Sequence, residues 1–289
     1  MDNKPFIRYY INSPYAYWWK EYANPYLTKK GWHLIEPTQF SISASYGFDP
    51  RYQRVLPGEK IADDDYCLQK SSIIVEYCGE PVFDSIFDSN TTKTVVDDLL
   101  AFMSLYSGVY CQYYWIESRT SSKGWNASLE LMVGNNGGVY SWAGPVEKSI
   151  EYFERALVST PAINSDQFGL AFRWFFSAFK ELEIGRPILE TALNWVCLES
   201  QANVLGITGN KRDMVSELLT RQRFQNIPLL GHFYRLRNDA FHEGQLSNLS
   251  GPEAQTARIA GRALVRASIL KMLGMDHTEF NVGFTSLYI

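Results

Sequence analysis

Tyr234-Arg235-Leu236-Arg237-Asn238-Asp239-Ala240-Phe241-His242-Glu243-Gly244 places an arginine, an amide, a carboxylate and a histidine within six consecutive residues, Arg237 to His242. The run before it is apolar, with Pro228 placed to open a helix, and Gly244 reads as the helix stop. Asn238 and His242 are four apart and share a helix face. Arg237 is rotated off that face, but its long stem can bring the guanidinium back toward the imidazole. Arginine offers a permanent cation with a fork of donors that suits phosphate. Histidine is the side chain that exchanges a proton near neutral pH. A phosphate clamp, an orienting amide and a general acid/base are the parts needed to cleave a phosphodiester without a metal.

Outward from this stretch the periodicity is helical from Gly144-Pro145 onward. Helices are expected over Glu147 to Leu157, Phe168 to Leu182, Pro187 to about Val204, and Lys211 to Phe224. Gly206 and Gly209 break the third of these. Gly251-Pro252-Glu253 opens a last helix that reaches Leu273-Gly274. On it Arg258, Arg262 and Arg266 recur every four residues beside an apolar face of Ile259, Ala263, Ala267 and Leu270. This stripe reads either as a solvated face or as a phosphate track.

The first half differs. Residues 1 to 37 are rich in Tyr and Trp and are punctuated by prolines; Trp18, Trp19 and Tyr22 suit one side of a short helix. These aromatics serve either to close a core or to stack on bases or a partner. Ser71 to Cys78 and Gly108 to Ile116 read as strands, with a helix over Val95 to Tyr106 between them. Asn126 to Val133 and Gly138 to Trp142 flank Gly134-Asn135-Asn136-Gly137, which is hairpin chemistry. The run Asp63 to Asp65 lacks complementary ligand spacing and reads as a solvated loop. The expected class is therefore α+β. An aromatic-rich, β-containing N-terminal domain over residues 1–145 is followed by an all-α domain over 146–289.

The formal net charge of -4 argues against a general electrostatic magnet for nucleic acid. Residues 201 to 271, however, hold ten basic against five acidic side chains, a local footprint that a nucleic-acid site needs. The four cysteines show neither Cys-x-x-Cys pairing nor zinc spacing, so no metal and no cofactor are expected. With no signal-peptide core in Met1 to Tyr10 and no apolar run of spanning length, a soluble, cytoplasmic protein without a membrane partner is expected.

The motif string resembles the Arg-x4-His motif of the HEPN superfamily, including the polar residue, Asn238, directly after the arginine. It looks most like the Apea-type branch, and Leu193 to Glu199 is similar to the Trp-x-x-Leu-Glu helix that precedes the motif helix there. The likeness covers about Ser149 to Gly274. It implies a HEPN-like helical bundle that forms a homodimer, with two motif copies sharing one cleft. It also implies metal-independent endoribonuclease activity on RNA, with the ribose 2′-hydroxyl as nucleophile. Arg237, Asn238 and His242 would be catalytic, and Arg235, Arg258, Arg262 and Arg266 are assigned to substrate binding. A controlled effector in bacterial antiviral defence or a toxin-like response fits that activity.

One departure bears on control. HEPN toxins paired with nucleotidyltransferase antitoxins carry a tyrosine two residues after the histidine, where this chain has Gly244. The competing expectation is a non-catalytic HEPN interaction module whose N-terminal domain senses a regulatory ligand or protein. A third, an N-terminal enzyme, lacks any nucleophile elbow, phosphate loop or zinc pattern to support it.

Overall fold

Phe6-Ile7-Arg8-Tyr9-Tyr10-Ile11 is rich in the β-branched and aromatic residues that suit a pleated, buried strand, and it forms β1 (Phe6–Asn12). Ile7, Tyr9 and Ile11 are buried from one face. The computed structural model describes residues 5–12, 16–35, 40–43, 51–54, 66–67, 72–80, 95–108, 112–120, 124–127, 143–160, 165–183, 185–224, 230–242 and 251–275. A short α1 (Ala16–Trp18), a π-helical turn (Trp19–Ala23) and α2 (Asn24–Lys29) follow β1. Then come β2 (Trp32–Ile35), β3 (Phe40–Ser43), β4 (Arg51–Arg54), β5 (Tyr66–Cys67) and β6 (Ser72–Cys78). After α3 (Val95–Ser107) the chain forms β7 (Gln112–Thr120) and β8 (Gly124–Ala127).

The strands make a five-stranded antiparallel sheet in the order β2-β6-β1-β7-β8 and a three-stranded one in the order β4-β3-β5. Arg8 and Glu76 are cross-strand partners in the β1–β6 register and form a largely buried ion pair. Trp18 and Trp19, edge to face at 5.0 Å, are fully buried, so of the two roles open to these aromatics they serve the core.

The remaining elements are helical: α4 (Ser149–Ser159) after a 3-10 turn (Val146–Lys148), α5 (Ser165–Glu183), α6 (Pro187–Val204), α7 (Lys211–Arg221), α8 (Leu230–His242) and α9 (Gly251–Met272). Helix α6 starts on Pro187 and closes at Gly206, whose φ of 68° is the left-handed geometry glycine adopts without strain. It packs against α5, α7, α8 and α9 and is buried on nearly every side. Helices α8 and α9 approach closely because Gly261 has no side chain: a Cβ there would stand 2.6 Å from the Phe233 ring.

The class is α+β, but the chain does not divide at residue 145. It forms two compact units, one of residues 1–83 with 111–138 and the other of residues 84–110 with 139–289. Helix α3, expected with the strands, therefore belongs to the helical unit. Eleven of its residues are buried, and its C-terminal carbonyls are held by Arg266 of α9. The strand expected from Gly108 begins at Gln112 instead; Gly108, with a φ of 70°, ends α3. The expected hairpin around 134–137, the Asp63–Asp65 run, Pro228 and Gly244 lie outside the described residues.

Candidate functional site

Helix α8 presents the motif because its other side is locked. Phe233 and Leu236 are buried, Leu236 in a cluster with Ala254 and Ala257 of α9. The Trp195 indole of α6 lies 5.4 Å from the Phe233 ring and 5.0 Å from the Tyr234 ring. Such aromatic contacts hold rotation and register in addition to burying area.

Arg237 is therefore delivered to a defined place. Its Nη1 donates to Asn238 Oδ1 at 3.0 Å, and its Nη2 reaches Glu199 Oε1 at 3.4 Å. Its guanidinium carbon lies 4.6 Å from the centre of the Phe241 ring, a cation–π distance. The stem thus runs one turn along α8 and brings the charge beside the residue that precedes His242. Its Nε is buried and makes no hydrogen bond among the described residues. His242 is exposed as the last residue of α8, and Phe241 is 50% exposed. The oxygen of Asn238 is thus turned to the arginine beside it.

Glu199 was part of the Trp-x-x-Leu-Glu segment but had no role assigned to it. Its side chain is 8% exposed and accepts from Trp195 Nε1 at 2.8 Å. Its other oxygen, Oε2, is 3.0 Å from Lys211 Nζ at the start of α7. One carboxylate thus joins three helices and two cations at the motif. The sequence signal was available: Trp195 and Glu199 are four apart on one face, and a buried carboxylate requires a cation.

The other arginines separate. Arg235 is exposed. Arg258 Nη2 and Arg262 Nε each lie 2.8 Å from the carboxylate of Glu190, which is 1% exposed and also accepts from Asn194 Nδ2 at 3.2 Å. Glu190 and Glu199 are nine residues apart on α6, about half a turn out of phase at ~100° per residue, so the two ion-pair groups attach to different sides of that helix. Arg266 is no substrate ligand. It is 5% exposed, with Nε donating to Leu105 O and Nη2 to Tyr106 O at 2.5 Å each. A four-residue step advances a helix face by about 40°, so Arg266 is turned about 80° from Arg258 and enters the core. The neighbouring apolar face shifts as well: Ile259 is 54% exposed, while Ala257, Gly261 and Leu264 are buried.

Beneath the motif, Cys197 of α6 is fully enclosed; its thiol donates to Ala171 O at 3.2 Å, and burial pushes its pKa up to about 12. It is a packing group rather than a nucleophile. Among the described residues, no three His, Cys, Asp or Glu side chains gather as metal ligands, and no helix is long and apolar enough to cross a membrane. Comparison of the chain with family models, with curated proteins and with solved structures finds no match.

Proposed function

We propose that the helical unit is a HEPN-like bundle and that the protein is a metal-independent endoribonuclease acting through Arg237, Asn238 and His242. The observation that carries this reading is the delivery of the Arg237 guanidinium along α8 to the Phe241–His242 end, clamped by Glu199 of the preceding Trp-x-x-Leu-Glu helix. The 2′-hydroxyl of RNA attacks the adjacent phosphorus, an imidazole takes its proton, and the bond from phosphorus to the 5′-oxygen breaks. A protonated imidazole returns a proton to that oxygen. The products are a 2′,3′-cyclic phosphate and a 5′-hydroxyl, and DNA, lacking the 2′-hydroxyl, is not a substrate. Arg237 stabilises the charge that grows on the phosphorane oxygens, where preorganised donors contribute most. Two copies in a homodimer would supply one imidazole as base and one as acid. A controlled defence or toxin-like effector in the cytoplasm is the setting that fits this chemistry.

A second reading, a non-catalytic interaction module, is favoured by the fate of the α9 arginines. Arg258 and Arg262 are both engaged by Glu190 and Arg266 is internal, which leaves less basic surface for RNA than three free arginines would give. One experiment separates the two. Purified protein is incubated with host and phage RNA in EDTA, and the ends formed are identified. Wild type should release cyclic phosphate ends, and Arg237→Ala and His242→Ala should each lose about two to four orders of magnitude in rate with the helical circular dichroism intact. Wild type that cleaves none of these RNAs, or full activity in His242→Ala, hands the site to the interaction reading.

A further inference from the structure

Lys211 lies 26 residues before Arg237 in sequence, yet both cations rest on Glu199. The turn that ends α6 brings Lys211 there. Gly206 and Gly209, with φ of 68° and 145°, reverse the chain, and Asn210 caps α7 by accepting from Asp213 N at 3.0 Å. Lys211 and Arg237 share the single carboxylate of Glu199, two cations to one anion within that group. Both also keep donors. An ammonium has three N–H groups; one faces Glu199, and the Lys211 side chain is 52% exposed. Arg237 has five N–H groups; Nη1 and Nη2 carry two each and give one each to Asn238 and Glu199, which leaves one on each nitrogen. An exposed lysine held only for stability contributes little, whereas one placed beside a phosphate-binding arginine adds a second point of contact with the strand.

We infer that Lys211 is a second phosphate ligand of the motif site, taking the phosphate that neighbours the one held by Arg237. The inference rests on the ribonuclease reading and deepens it: the site grips two successive phosphates of a single strand, with Glu199 setting their spacing. The α9 arginines, expected to form the phosphate track, are replaced in that role by a residue from the start of α7.

Salt dependence tests this apart from catalysis. The probe is a short single-stranded RNA methylated at every 2′-oxygen, which leaves no internal nucleophile. Each phosphate contact adds about 0.7 to the slope of log affinity against log salt for a single strand. Lys211→Gln should lower that slope by about 0.7 and weaken binding about tenfold at low salt; Lys211→Arg should restore both. In the wild-type chain, bound probe should also shield Lys211 from an amine-reactive reagent, read by mass spectrometry, which requires no variant to fold. An unchanged slope in Lys211→Gln, no shielding, or no salt-dependent binding by wild type overturns the inference. Wild type that grips the probe through Lys211 but fails to cleave unmodified RNA sinks the ribonuclease reading and leaves Lys211 as a ligand of an RNA-binding module.

Discussion

Glu199 governs what Arg237 can do. The carboxylate is nearly buried, fixed by the Trp195 indole, and counters part of the arginine's charge. Glu199→Gln keeps an acceptor for the indole but removes the charge that spaces the two cations. Turnover should fall about ten- to a hundredfold, as small misplacements at a reacting centre do. RNA affinity at low salt should rise, because a negative charge has left the phosphate site. A merely structural role would lower both, so affinity that falls together with turnover would sink the positioning role. Cys197 carries a different residue-scale prediction. Its thiol stays protonated in the fold up to about pH 12, while the unfolded thiol ionises near its ordinary 9.0. Below about pH 9 both states keep the proton and this contribution is fully present. As pH rises toward 12 the unfolded chain loses it first, so stability falls. Urea midpoints measured on either side of pH 9 should drop less in Cys197→Ala than in wild type; an equal drop would show that other groups cause the alkaline loss.

At the scale of elements, α9 shows what four-residue spacing does and does not say. Arg258, Arg262 and Arg266 look equivalent in sequence, but the drift of the helix carries the last into the core against α3. Arg266→Met should therefore cost about 2–4 kcal/mol, the order expected when two buried carbonyls lose a charged donor, and should leave the salt slope of RNA binding unchanged. Urea unfolding measures the first; a shallower salt slope would restore Arg266 to the phosphate track. Gly261→Ala forces a methyl group against Phe233 and should cost about 1–3 kcal/mol. What was legible followed local chemistry. Pro187 and Gly206 bracket α6, and the Gly251-Pro252 start and Gly274 stop bracket α9, because prolines and glycines act through their own backbone. Strand β1 was missed because Phe6 to Ile11 is large and apolar or aromatic at every position but Arg8, so no period-two pattern shows. Its buried arginine, paired to Glu76 on β6, 68 residues on in sequence, reads locally as a surface residue.

For the whole molecule, the boundary near residue 145 followed a real change of period, from strands to helices, but periodicity says nothing about docking. Helix α3 joins the helical unit through contacts to a residue about 160 positions away, which no local window contains. The same limit applied to the site. Arg237 and His242 were legible as neighbours on one helix, whereas Lys211 and the carboxylate that ties it to Arg237 came together only through the packing of α6, α7 and α8. One copy of this arrangement supplies one motif histidine, at an exposed helix end beside a half-exposed Phe241. In-line cleavage needs a base on one side of the phosphorus and an acid on the other. A two-fold axis beside α8 would meet that need and would cover Phe241 with an isologous contact. The protein should therefore run as a homodimer in light scattering at tens of micromolar, an order of magnitude suited to a stable obligate dimer, and Phe241→Asp should shift it toward monomer. A cleft shared by two copies would make a sharper demand. Mixing excess His242→Ala with wild type should depress activity per wild-type chain, because mixed dimers carry a single imidazole. A wild type that is monomeric while cleaving RNA, or activity that is indifferent to the mixing ratio, would place both proton transfers within one chain.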